Sequence, residues 1–214
     1  MPCPVTTVDR VPDNTVQAAY TAIHNLYIES FGSPTDLDPE DTAFAGIHLS
    51  PGPVLDLGCG PGHFTKFLTD AGIPTTGVDL VPEFIAHARS AYPNIAFELG
   101  SLRALDAPTE SVPGILAWFS LIHMDPTELP AVLAEFHRVL TPGGRLVVGF
   151  FESTDLVEPF PHKVTTAYRW PTDHLSATLR AAGFAELGRL HHPASGNVRP
   201  HAALAVSKVR ATTV

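Results

Sequence analysis

Asp56, Gly58, Gly60 and Gly62 stand at alternate positions in the stretch VLDLGCGPG, residues 54–62. Glycine lacks a Cβ and takes positive φ without strain, so a strand-to-helix turn built of glycines lets a ligand lie directly against backbone amides. A tight turn alone explains the glycines but not the acids around them. A carboxylate at the mouth of the turn is awkward beside a bound pyrophosphate and suits a cationic group, such as the amino group of an amino-acid tail. The spacing agrees. A dinucleotide fingerprint, GxGxxG, has its last glycine one residue later, where this chain has His63. Further on, Gly77-Val78-Asp79 closes the next apolar stretch with an acid, the position from which a doubly wound sheet grips ribose hydroxyls.

For these residues to meet, the glycine turn must join a strand to a helix at the carboxyl end of a parallel sheet. The patterning supplies such a sheet, with apolar runs alternating with helical periodicities. Strands are expected at 54–57, 75–78, 95–98, 115–118, 145–151, 186–190 and 202–207. Residues 15–30 have Val16, Ala19, Ile23, Leu26 and Tyr27 at helical spacing, and 42–48 form a short helical or irregular piece after the loop GSPTDLDPED. Asp125-Pro126-Thr127-Glu128 carries the marks of a helix start. Leu129, Val132, Leu133, Phe136, Val139 and Leu140 then make one apolar face, which Pro142-Gly143-Gly144 ends. Pro171-Thr172-Asp173 starts a last helix that Gly183 closes. Residues 1–14 read as a frayed polar terminus, 1–50 as a helical extension or cap, and 51–214 as one domain. The long aromatic connection at 152–170 is placed as a lid over the sheet's carboxyl end.

Composition narrows the partners. Thirteen Lys and Arg against 22 Asp and Glu give a net charge of −9, with no basic run longer than two residues, which argues against a nucleic-acid surface. Neither a signal-peptide core nor an apolar run of membrane-spanning length is present, so no membrane partner is expected and a cytoplasmic location is. Cys3 and Cys59 sit in unlike contexts and suggest a reducing compartment. The 11 histidines fall singly apart from His191-His192, without metal-finger or HExxH spacing, so no metal is expected.

The segments DLGCGPG, GVDL, FELGSL, LAWFSLIHM and LTPGGRLVVGFF, in that order, resemble the class I S-adenosylmethionine-dependent methyltransferases of the small single-domain kind. The resemblance implies an α/β fold: a doubly wound, mostly parallel seven-stranded Rossmann-like sheet with an antiparallel C-terminal strand. It implies S-adenosylmethionine as cofactor and S-adenosylhomocysteine as product. By the same resemblance Asp56, Gly58, Gly60 and Gly62, with Cys59 and Pro61 between them, line the methionine part. Asp79 takes both ribose hydroxyls, and Leu80 lies against the adenine. Ser101 and Leu102 stand beside the adenine ring where the family usually has an acid and a small apolar residue, so Ser101 is a departure. Ala117, Trp118 and Phe119 fall under the sulfonium, with Trp118 read as core or pocket wall. His123 matches a histidine that often follows this strand, and Tyr20 and Tyr27 match a Y-x6-Y helix folded over the cofactor.

Methyl transfer from a sulfonium is an in-line displacement that needs alignment and an apolar pocket above all. A base is required only for a protonated acceptor. His123, His162, Tyr168 and His174 are the candidates for it, and Phe160, Tyr168 and Trp170 the candidate walls, with Arg169 and Arg199 available for an acidic group on the acceptor. The partner so implied is a small-molecule acceptor methylated at oxygen or nitrogen, for a monomer or homodimer. The competing reading is a regulatory domain that binds the cofactor without transferring the methyl group. A nicotinamide-dependent oxidoreductase rests on fold analogy alone.

Overall fold

The computed structural model describes residues 13–50, 52–196 and 198–210; Cys3 and the N-terminal stretch read as frayed lie outside them, except that Asp13 and Asn14 already belong to the first helix. In chain order the elements are α1 (Asp13–Phe31), a 3-10 turn (Pro34–Asp36), α2 (Pro39–Leu49), β1 (Val54–Leu57), α3 (His63–Asp70), β2 (Thr75–Asp79), α4 (Pro82–Ala91) and β3 (Phe97–Leu99). They continue with β4 (Val112–Trp118), α5 (Leu129–Val139), β5 (Leu140–Glu152), β6 (Glu158–Pro161), β7 (Thr166–Trp170), α6 (Thr172–Ala181), β8 (Phe184–His192) and β9 (His201–Lys208).

The sheet runs β3-β2-β1-β4-β5 in parallel, then β9 antiparallel to β5 and β8 antiparallel to β9. The chain winds outward from β1 to β3 and then returns to start β4 on the other side of β1, which makes the carboxyl ends of β1 and β4 the switch point where such sheets open a crevice. Strand alternation sets the layers. Ile115 and Ala117 join the cluster of α5 and α6, with Leu133, Phe136, Leu175 and Leu179. Leu116, between them, joins that of α2 and α3, with Ala45, Leu49, Phe64 and Leu68. The six apolar residues expected on the face of α5 are all buried.

Five expectations change. Pro142-Gly143-Gly144 does not end α5: the helix stops at Val139, where Leu140 turns to extended backbone, and these residues lie within β5. Residues 42–48 belong to a full helix, α2, because the Asp38 side chain caps it by accepting from the Glu40 amide at 2.7 Å. Asp125 does not cap α5: its Oδ1 accepts from the Thr127 amide and hydroxyl in a turn of its own, and the helix begins three residues later, after Glu128. The third strand starts later than expected because the Ile95 amide closes a turn on the Tyr92 carbonyl. The sheet has nine strands, since 152–170 contributes the hairpin β6–β7.

That hairpin has a defined seat. At Phe151 one edge of β5 is taken by His201 of β9, so the pairing of Phe151 and Glu152 with Arg169 and Trp170 uses the opposite edge, above the point where β4 stops at Trp118. The Tyr168 amide bonds the Ile122 carbonyl at 2.7 Å and ties the hairpin to the segment after β4. Within 152–170, the strands β6 and β7 therefore extend the sheet at its carboxyl end.

Candidate active site

The glycine turn leaves β1 with the amides of Gly58 and Cys59 both donating to the Val78 carbonyl, at 2.7 and 3.1 Å. All three glycines have positive φ, 75°, 54° and 88°, but they serve different ends. A Cβ on Gly58 would lie 2.4 Å from the Ser120 side chain, and one on Gly62 2.7 Å from the Phe97 ring, so these two let the turn pack closely against the segment after β4 and against β3. Among the described residues, a Cβ on Gly60 would meet only Tyr27, at 3.8 Å. The room expected along the whole turn is concentrated at Gly60. Pro61 is buried, and the buried Cys59 side chain packs with Ile85, Ala88 and Phe97 against α4, where burial pushes its thiol well above the usual range.

Two buried carboxylates flank that room. Asp79, at the end of β2, accepts from the Gly60 amide on Oδ2 and the Val81 amide on Oδ1, both at 2.8 Å, which leaves further lone pairs on each oxygen. Burial pushes its pKa up to about 6, against the pull of its backbone hydrogen bonds. Asp56 is 1 % exposed and accepts from the Thr65 hydroxyl at 2.6 Å. Burial raises it to about 7, with Thr65 opposing and the charge of Asp79 adding to the rise. Among the described residues no Lys or Arg pairs with either. A cationic ligand beside Gly60 would relieve both, and the buried Ser120 hydroxyl, also without a partner among the described residues, is a further group for it to meet. The residues present fit a cofactor with a positively charged arm and a ribose.

A wall of rings closes over this end of the sheet. The Tyr20 ring, on α1, makes edge contacts with Tyr27 at 5.4 Å and His123 at 5.6 Å, and Tyr27 stacks at a tilt on Phe84 of α4. Gln17 donates to the Leu80 carbonyl at 2.9 Å and Thr21 to Glu83 at 3.0 Å, fixing α1 on α4. Burial raises both phenols, Tyr27 to about 12, so both stay protonated. His123 is 6 % exposed, and burial holds its pKa below the ordinary value, so the ring is neutral. Its Nδ1 lies 2.7 Å from the Thr166 carbonyl, which only accepts, so Nδ1 carries the proton. Nε2 is then an acceptor, and the Tyr20 hydroxyl donates to it at 3.1 Å.

The remaining expected residues separate. Phe119 has φ 52°, in the left-handed region, and its ring contacts Trp118, Phe151 and His201. Trp118 lies over Gly149 and against Phe64, as wall. Ala117 is fully buried in the core. The Ser101 hydroxyl accepts from the Arg103 amide at 3.2 Å within its own turn, and Leu102 packs against the core. His162 is brought to His123, with ring centroids 5.3 Å apart. Tyr168 is not: along β7, Ala167 packs with Ile122 and Phe160, whereas Tyr168 and Trp170 belong to the opposite, core-facing cluster, and the Tyr168 hydroxyl bonds Asp125 at 3.3 Å. His174 packs on Trp170, on that same far face.

Sequence reasoning missed one cluster, Asp41, His192 and His201, drawn from α2, β8 and β9. His192 Nε2 is 2.9 Å from Asp41, and the two imidazoles stack at 4.4 Å with their planes 15° apart. Near-parallel rings cannot both aim a lone pair at one ion without turning, so as placed the cluster pins α2 to the sheet edge. No signal in the spacing brings these three together.

Residues 54–144, which carry the open glycine turn and the acid ending β2, match the methyltransferase domain family. The chain carries a domain of the class I S-adenosylmethionine-dependent methyltransferases, whose cofactor is S-adenosylmethionine. Among its relatives, the trans-aconitate 2-methyltransferase of Rhizobium meliloti (strain 1021) is 34 % identical over 116 residues, 50 % of this chain and 41 % of that protein. The chain thus spans less than half the length of that relative. In fold it is similar to the 1,6-didemethyltoxoflavin-N1-methyltransferase of Burkholderia thailandensis, solved with S-adenosylhomocysteine bound, at TM-score 0.77 and 22 % identity over 98 % of this chain and 93 % of that one. It is similar also to the cyclase SpnF, at TM-score 0.76 and 18 % identity over 94 % and 99 % of the two chains. No helix among the described residues is long and apolar enough to cross a membrane.

Proposed function

We propose that the protein transfers a methyl group from S-adenosylmethionine to an oxygen or nitrogen of a small organic acceptor. The observation that carries this is the space at Gly60 between two buried acids without cationic partners, joined by the ring contacts of Tyr27 and Tyr20 to His123. Bound there, the cofactor supplies an electrophilic methyl carbon whose bond to sulfur breaks as the acceptor's lone pair attacks, leaving S-adenosylhomocysteine. Asp56 holds the ammonium of the tail, Asp79 the two ribose hydroxyls, and Leu80 with Ser101 and Leu102 the adenine side. The helix α1 is the cap and the hairpin β6–β7 the wall over the acceptor, and both exclude water. His123 Nε2 takes the acceptor's proton where it has one, in place of the Tyr20 hydroxyl. The relative that acts on trans-aconitate and the neighbour named for didemethyltoxoflavin are methyltransferases of small molecules, which supports that acceptor class.

Calorimetric titration with S-adenosylmethionine, S-adenosylhomocysteine and NAD tests the reading. Binding of the first two, with affinity on the order of micromolar and none for NAD, is expected. Asp79→Ala should weaken adenosyl binding by about 1–3 kcal/mol through loss of charge-assisted hydrogen bonds. Unchanged affinity in a folded variant removes the ribose assignment. The second reading, a cofactor-binding domain without transfer, is favoured by the likeness to a cyclase and by Tyr20 occupying His123 Nε2. Transfer of labelled methyl to any member of a metabolite panel would end it.

A further inference from the structure

On the methyl-transfer reading, the acceptor side of the site carries a charge pattern that the cofactor does not explain. Phe119 after β4, Phe151 in β5 and Phe160 in β6 form a continuous aromatic floor, with centroids 4.9 and 5.3 Å apart in succession. Two arginines from different parts of the chain lie on that floor. The Arg169 guanidinium is 4.4 Å from the Phe160 ring centre, and that of Arg199 is 5.4 Å from the same ring and 5.9 Å from Phe151. In a chain of net charge −9, two cations sharing one ring make a local positive island. It is poorly neutralised. Among the described residues, Arg169 pairs with Glu158, at 3.5 Å, on a side chain that is 52 % exposed. Arg169 Nε is buried and has no hydrogen-bond partner among the described residues, and the same is true of Nδ1 of His162, whose ring lies 6.1 Å from that of Phe160. Burial, with the charges of Arg199 and Lys163 nearby, holds His162 down at about 4, so its ring is neutral, with one nitrogen a donor and the other an acceptor. A guanidinium stacked on a ring keeps its N–H groups in its own plane, free at the ring's edge for a planar oxyanion.

We infer that Arg169 and Arg199 form a carboxylate-binding subsite, so that the methyl acceptor is a small organic acid whose carboxylate sits between the two guanidiniums and whose apolar body lies on Phe119, Phe151 and Phe160. With its proton on Nδ1, His162 would donate to the same carboxylate or to a neighbouring oxygen. Because His162 also touches His123, an acid held here presents its reacting atom toward the cofactor. A neutral acceptor would leave the two guanidinium charges without a counter-charge, at a cost that selects against it.

The test uses the full chain saturated with S-adenosylhomocysteine and three probes on one ring: benzoate, benzamide and phenyl phosphate. Benzoate should bind while benzamide does not, and Arg169→Gln and Arg199→Gln should each weaken benzoate by about tenfold, with Arg199→Lys recovering part of the loss. Affinity for S-adenosylhomocysteine should be the same in all of them. Equal binding of benzamide, benzoate affinity unchanged in both glutamine variants, or silence of benzoate would overturn the proposal. Binding of phenyl phosphate alone would overturn it in favour of a phosphate ligand. Failure to bind S-adenosylhomocysteine strikes instead at the methyl-transfer reading, so the two failures are separate.

Discussion

At the scale of single residues, three glycines of one motif separate into two kinds, and substitution should show it. Gly58→Val places a side chain on Ser120 and is expected to lower the melting temperature sharply. Gly60→Val costs only the strain of a left-handed residue, about 1–2 kcal/mol, and should fold yet lose adenosyl binding. The reverse ranking in paired thermal melts and calorimetry would contradict the assignment of space to Gly60. The acids make a pH prediction. Asp56 and Asp79 titrate near 7 and 6 in the fold, above their ordinary 3.8, so the folded state holds extra protons across that window. Their contribution to stability is therefore full below about 3.8 and is lost as pH rises through 6 and 7. Glu135 and Glu186, held below the usual carboxylate range by hydrogen bonds from Arg138 and Arg189, act oppositely, and theirs is lost as pH falls. Asp56→Asn isolates one contribution: the melting temperature of the variant relative to the natural chain should climb between pH 4 and about 8 in the absence of ligand, and a flat difference would refute the buried, uncompensated acid.

At the scale of elements, local signals predicted what local physics builds. The face of α5 and the turn at Gly58 to Gly62 were legible because periodicity and glycine placement act over a few residues. The helix α2 was underread since its start depends on one side chain, Asp38. Asp38→Ala should cost about 1 kcal/mol in chemical denaturation, and no change would show that the packing of Ala45 and Leu49 suffices without the cap. The hairpin was hidden by Pro159 and Pro161, which argue against a strand. They are tolerated because β6 pairs only with β7 and so lies at an edge. The alternation Thr-Ala-Tyr-Arg-Trp in β7 was the signal that was available. What no local signal holds is the partnership of His123 with Tyr20, 103 residues away, or with Thr166, 43 residues away. Such contacts follow from topology, as does the choice of His162 over Tyr168 as the neighbour of His123.

At the scale of the whole molecule, the site is assembled between a sheet that provides fixed carboxyl ends and two pieces laid over it, α1 and the hairpin. Hydrogen exchange should register this division. On addition of S-adenosylhomocysteine, amides of α1 and of the Gly58 to Gly62 turn are expected to slow, while those of β5 and β9 at the centre of the sheet stay as they were. Protection confined to the turn would mean that α1 takes no part in holding the cofactor. The two faces of β7 carry a last consequence, for how this region tolerates change in length. Tyr168 and Trp170 face the core and Ala167 and Arg169 the site, so adding or losing one residue within β7 would put a guanidinium among the apolar side chains of α5 and α6. Natural variation in length among close relatives should thus gather in the bend between Pro161 and Thr166, where a shift has no parity to break, and changes inside the strand should come in twos.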